Sequence, residues 1–146
     1  MDLHETLQQL ESLGTEQNRK IYRRHGVGEN AYGVSFANLE KLRKAIKKDH
    51  DLAMQLWATA NHDARILATM IADPKKMTSE DLDAWAKSLG NYTETDAFSR
   101  LAAGSPFMRE KFEQWTEADG EWIESAGWNL LSSLAMKDGD LPDDYF

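Results

Sequence analysis

Apolar residues recur three and four positions apart through almost the whole chain, and no strand-length alternation bounded by hairpin turns interrupts them. A helix returns side chains i, i+3, i+4 and i+7 to one face, so this spacing predicts an all-α fold built by burying helix stripes against one another. Leu3, Leu7, Leu10 and Leu13 make the first stripe, and Gly14 stops it. Thr15 is placed to cap a second helix running through Arg24, which Gly26 ends. The run Gly28-Glu29-Asn30-Ala31-Tyr32-Gly33-Val34 is dense in turn formers and reads as a loop. Ser35 caps the next helix, in which Leu39, Leu42 and Ile46 form one stripe and the lysines another.

From about residue 50 the pattern becomes modular. A helix from Asp51 to Ala60 with Leu52, Leu56 and Trp57 is followed by one with Ile66, Leu67, Met70 and Ile71, closed by Pro74. Thr78, with acids in the first turn, caps a helix carrying Leu82, Trp85 and Leu89, ended by Gly90. The next holds Phe98 and Leu101 and ends at Gly104. Pro106 is expected to start another, with Phe107, Met108, Phe112 and Trp115. The last clear helix is expected from Glu121 to Met136, with Trp122, Ile123, Leu130, Leu131 and Leu134. Three helix pairs thus follow one another over roughly 50–73, 79–103 and 106–137, a period of about 30 residues. The expectation is one domain over residues 1–146, a HEAT-like helical-repeat solenoid (an alpha-alpha superhelix). Leu141, Tyr145 and Phe146 are spaced as if a further helix were starting, so the chain also reads as the N-terminal part of a longer array. At least three of the five tryptophans sit at core spacing.

Several classes of function fall away on composition. There is no cysteine, hence no disulfide and no thiol chemistry. No run reaches the ~18 apolar residues of a membrane span, and the polar start Met1-Asp2-Leu3-His4-Glu5 lacks a secretory core, so the default expectation is cytoplasmic. His4, His25, His50 and His62 fall at no metal-ligand spacing, and Gly26-Val27-Gly28 precedes no strand-to-helix phosphate loop. Neither a metal nor a cofactor is expected. The net charge of −8 opposes nucleic acid as a partner, yet it is unevenly spread. Residues 1–48 hold nine Lys and Arg against six Asp and Glu, a net +3, leaving −11 for the rest. The basic residues gather in Arg19-Lys20, in Arg23-Arg24 and from Lys41 to Lys48, either as solvated faces or as a stripe for phosphates.

Tyr92 and Asp96 lie four apart near a helix start and so share a face. They read either as an ordinary capped start or, on the concave side of a solenoid, as a small cation site built from a ring face and a charge. Arg65 opens the preceding inner helix and Trp122 to Ser125 the following one, so these helix starts are expected side by side. Arg65 is placed either to contact a phosphate or to pair with Asp63 or a neighbouring acid.

With these residues in view, the sequence resembles the DNA alkylation repair family, HEAT-like glycosylases that release alkylated purines. The likeness runs from about Asn18 to Phe146. It is carried by Ile21-Tyr22-Arg23-Arg24-His25-Gly26 with Tyr32-Gly33-Val34, by Leu39-Glu40-Lys41-Leu42-Arg43, by Leu56-Trp57 with His62-Asp63-Ala64-Arg65-Ile66-Leu67-Ala68, and by Trp122-Ile123-Glu124-Ser125-Ala126-Gly127. The resemblance implies a backbone-contacting aromatic at Tyr22 and an Asp assisting glycosidic cleavage at Asp96. It departs from the family twice: Tyr92 stands for a Trp, and Ser125 for a phosphate-binding Arg. The family also continues through further repeats with another aromatic.

An alkylated purine is cationic and leaves as a neutral base, so the task is to stabilise positive charge on the sugar, which a nearby carboxylate does electrostatically. The leading expectation is therefore a protein that binds double-stranded DNA with alkylated bases. Asp96 would assist excision, while Tyr22, Tyr92, Arg65, Arg23, Arg24 and the Ser125 position lie along the backbone. The alternative is a non-catalytic HEAT-like scaffold for a protein or a structured nucleic acid. The sequence leaves the oligomeric state open.

Overall fold

The computed structural model describes residues 1–137, with side chains as far as Ser133. These residues form nine helices and no strand: α1 (Leu3–Leu13), α2 (Glu16–Arg24), α3 (Phe36–Ile46), α4 (His50–Ala58), α5 (His62–Ile71), α6 (Ser79–Lys87), α7 (Tyr92–Ala103), α8 (Met108–Trp115) and α9 (Glu121–Lys137).

Local chemistry sets most of the boundaries. The side chains of Thr15, Ser35, Asp49, Asn61, Thr78 and Asn91 each accept a backbone N–H of the helix they begin. Each such cap contributes about 1 kcal/mol. Thr78 and Asp81 complete a reciprocal capping box. Two expected starts move. Asp49 caps α4, so that helix begins at His50. Pro106 lies in a turn, and α8 starts two residues later at Met108. The Ser105 hydroxyl accepts the Phe107 N–H at 3.3 Å and holds that turn. The side chain of Leu134 and the segment with Leu141, Tyr145 and Phe146 lie outside the described residues.

The expected pairs are present: α4 packs on α5, α6 on α7 and α8 on α9. Helices α3, α5, α7 and α9 stand side by side as an inner row. The outer row is joined through side chains. Trp57 of α4 stacks on Trp85 of α6 with centroids 4.2 Å apart and planes 2° from parallel. Asp83 of α6 accepts the Trp115 indole N–H of α8 at 3.1 Å and the ammonium of buried Lys111 at 3.0 Å. Phe98 of α7 sits between the rows, 6.2 Å from Trp57, 6.4 Å from Trp85 and 5.4 Å from Trp115. Three tryptophans are therefore core, while Trp128 is half exposed.

The loop from Gly28 to Val34 is fixed by one buried carboxylate. Asp63 accepts the backbone N–H groups of Tyr32 (2.6 Å), Gly33 (3.0 Å) and Val34 (2.9 Å). Gly33 has φ +79°, and a Cβ there would lie 2.5 Å from the Thr15 carbonyl oxygen, so only glycine fits this close approach.

Candidate nucleic-acid interface

Tyr92, Asp96 and Arg100 follow one another at intervals of four along α7 and share one face of it. Ile66, Thr69 and Met70, spaced i, i+3 and i+4, share one face of α5, and Phe36 comes from the first turn of α3. Together with Thr93 and Ala97 they line a cleft of about 270 Å³ on the open side of the inner row. Two aromatic rings border it and stay in water: Phe36 is 60% exposed and Tyr92 65%. Asp96 is half-buried in its wall. Its carboxylate accepts the Tyr92 hydroxyl and, at 3.1 Å, the side-chain amide of Asn129 on α9. The hydrogen bond to Asp96, and then its charge, raise the Tyr92 phenol above its ordinary range. Asn129 also donates to the Ser99 hydroxyl at 3.3 Å, which ties α9 to α7 directly behind Asp96.

A second depression adjoins the first. Arg43, Lys44, Lys47 and Lys48 at the C-terminal end of α3 line it with Met70, which belongs to both. Lys44, Lys47 and Lys48 are exposed. Arg43 is held by Glu40 at 2.7 Å, and the Lys48 ammonium also donates to the Ala72 carbonyl at 3.1 Å. Cations at one end thus run into an apolar, ring-bordered cleft, with Arg100 on its far wall.

The other anticipated residues stand elsewhere. Arg65 is one residue, about 100°, off the face that Ile66, Thr69 and Met70 turn to the cleft. Its guanidinium lies 4.6 Å over the Trp57 ring. It donates to the carbonyls of Trp57 (3.2 Å) and Ser88 (2.8 Å) and to the Glu94 carboxylate (3.2 Å). The acid it pairs with is Glu94, while Asp63 is occupied by the loop. Tyr22 is half-buried. Its hydroxyl donates to the Val34 carbonyl, and its ring tilts over His62 at 5.4 Å. Burial, then the charge of Asp63, raises its phenol. Arg23 reaches Glu16 at 3.0 Å, and Arg19 shares that acid at 2.9 Å. Arg24 is exposed on the same short helix. Of the expected row of helix starts only that of α7 lines the cleft: Arg65 turns away, and Trp122 faces a different depression, formed with Ala86, Lys87 and Leu89. Ser125 is half-exposed, four residues before Asn129 on α9.

Phe36, Arg100 and Asn129 escaped the sequence reading. Arg100 continues the Tyr92–Asp96 spacing and was within reach of that pattern. Phe36 carried no local signal, since only the packing of α3 on α5 brings it to the cleft that Tyr92 also lines. Asn129 likewise meets Asp96 only because α9 packs on α7.

Fold and surface together define a helical-repeat protein with a cationic, aromatic-bordered open face. Residues 6–144 match the family described as DNA alkylation repair enzyme, and the chain belongs to that family. Its whole length superimposes on 61% of a solved chain with TM-score 0.86 and 33% identity. That structure represents a family related to the HEAT-like repeat DNA glycosylases, with affinity for branched DNA structures. Uncharacterized proteins of Listeria monocytogenes and Listeria innocua are each 27% identical over 135 residues, which cover 85% of this chain and 58% of theirs. The chain therefore spans about six-tenths of the length of the relatives it matches. No helix among the described residues is long and apolar enough to cross a membrane.

Proposed function

We propose that this chain binds DNA on the open face of α3, α5, α7 and α9, with branched DNA preferred over plain duplex. The observation that carries the reading is the continuity, through Met70, of a lysine ridge with an aromatic-bordered cleft. Cations neutralise phosphates and release counterions, while exposed rings give bases something to stack on. The affinity of the related solved protein for branched DNA structures supports the preference for branches. Residues 49–146 carry a net charge of −11, which opposes binding on the faces they form away from this cleft. The test is fluorescence anisotropy with a three-way junction and a matched duplex. The wild type binds the junction more tightly. Lys44→Glu combined with Lys47→Glu weakens binding at least about tenfold and reduces the salt slope by about 2. Equal binding by the wild type and the double variant at every salt concentration would sink the proposal.

A second reading, excision of a cationic alkylated purine, is favoured by the position of Asp96 in the same cleft beside the exposed ring of Tyr92. Its carboxylate keeps acceptor capacity for a developing positive charge while Tyr92 and Asn129 orient it. Against it stands Ser125, uncharged where the family resemblance calls for a phosphate anchor. Release of base from methylated DNA that falls to the spontaneous rate in Asp96→Asn supports excision. Release equal in both proteins removes it and leaves DNA binding intact.

A further inference from the structure

We infer that Arg100 is the phosphate anchor of the open face, receiving one phosphodiester of the bound DNA on the part of α7 that two clefts share. This rests on the DNA-binding reading and names the cation that fixes the register of the strand. Arg100 lies four residues beyond Asp96 and eight beyond Tyr92, on the face that α7 turns to the open side. It lines the first cleft and also a second one of about 260 Å³, formed with Asp96 and Ser99 of α7 and with Asn129 and Ser133 of α9. Among the described residues it is the one cation lining either of them. It is exposed and, among the described residues, has no ion-pair partner. By contrast, Glu40 holds Arg43 and Glu94 holds Arg65. A guanidinium left in water is a rigid fork of five donors that matches phosphate oxygens.

The neighbouring groups decide which donors remain for a ligand. Asn129 gives its amide hydrogens to Asp96 and Ser99, and the Ser99 hydroxyl donates to the Thr95 carbonyl. The donors left in the second cleft are therefore the Arg100 guanidinium and the Ser133 hydroxyl. Both are ordinary partners of phosphate oxygens. Asp96 by itself repels an anion, but Tyr92 and Asn129 already donate to it, and Arg100 offsets its charge one helical turn away. The phosphate is thus directed to the Arg100 side of Asp96 and away from Tyr92. The lysines of α3 reach the first cleft through Met70, so a strand drawn to Lys44 and Lys47 continues over α5 to Arg100. Lysines on flexible stems supply attraction, whereas the planar guanidinium selects one position.

The experiment replaces the phosphates around the branch of a three-way junction, one at a time, by uncharged methylphosphonates and follows binding by anisotropy. Arg100→Ala binds the unmodified junction roughly 10- to 150-fold more weakly than the wild type, the range of one charged hydrogen-bonded contact. Its salt slope is smaller by about 0.9. It is indifferent to neutralisation of one phosphate to which the wild type is sensitive. Arg100→Lys, which keeps the charge, restores the salt slope and that sensitivity. Lys44→Glu binds more weakly yet stays sensitive at the same phosphate. Arg100 is exposed, so its variants fold. Wild-type affinity and salt slope in Arg100→Ala overturn the inference while DNA binding stands. So does weaker binding by Arg100→Ala with the same profile of sensitive phosphates as the wild type. No binding of any junction by the wild type overturns both.

Discussion

Two carboxylates stand two residues apart on α7, and helical geometry turns them about 200° from each other. Glu94 is 5% exposed and faces inward. Its carboxylate accepts from Arg65 and from the Asn91 side-chain amide, its backbone N–H donates to the Asn91 side-chain oxygen, and the His62 ring lies 4.0 Å away. Asp96 faces the cleft, half-exposed, with the Tyr92 hydroxyl and one Asn129 amide on it. The same residue class therefore makes a strut on one side of the helix and an available acceptor on the other. Burial with a full set of partners uses up a charge, whereas partial exposure with two partners orients it and leaves capacity for a ligand.

The comparison is most exposed to disproof at the buried end. Asp63→Ala leaves three loop N–H groups without their acceptor and should cost about 3–5 kcal/mol in urea unfolding. A loss under about 1 kcal/mol would mean that the loop is not held there. Arg65→Ala uncovers the Trp57 face and leaves Glu94 buried without its cation, at a cost of about 3 kcal/mol. Below its melting range that variant should bind DNA like the wild type. A folded Arg65→Ala protein with normal stability and weak DNA binding would move Arg65 to the open side.

On the open side the effects fall on binding. Ser125→Arg adds a cation on α9 four residues before Asn129 and should tighten DNA binding about tenfold, steepening the salt slope by about 0.9. No change would separate that position from the DNA path. The smallest effect is a titration. Asp96 raises the Tyr92 phenol, so the folded state favours the protonated ring. Its contribution is complete below pH ~10 and is lost as pH rises through the raised value. Phenolate absorbance should therefore develop at lower pH in Asp96→Ala than in the wild type. Coincident curves would mean that the two side chains do not meet.

How much was legible differs between the sides of α7. The Tyr92–Asp96 pairing followed from spacing alone, because i and i+4 share a face in any helix. Arg65 was legible as a cation at a helix start, yet its pairing depended on where the C-terminal end of α6 and the start of α7 lie. Tyr22 was legible as an aromatic with a hydroxyl. That the hydroxyl is taken by Val34 follows from the loop that Asp63 holds in place.

The sequence by itself determined the helices, their pairing and the caps at Thr15, Ser35 and Thr78, because period, N-cap chemistry and Gly or Pro stops act within a few residues. It also determined that positive charge collects before residue 49. Only the tertiary structure decided which charges remain available. Phe36 and Tyr92 border one cleft from α3 and α7, Asn129 reaches Asp96 from the next helix pair, and Arg65 is held, partly buried, against Trp57 and Glu94. The reason is physical: a side chain's neighbours along the chain are set by 1.5 Å per residue. Its neighbours across the inner row are set by how the apolar stripes pack, and those contacts join residues about 30 positions apart.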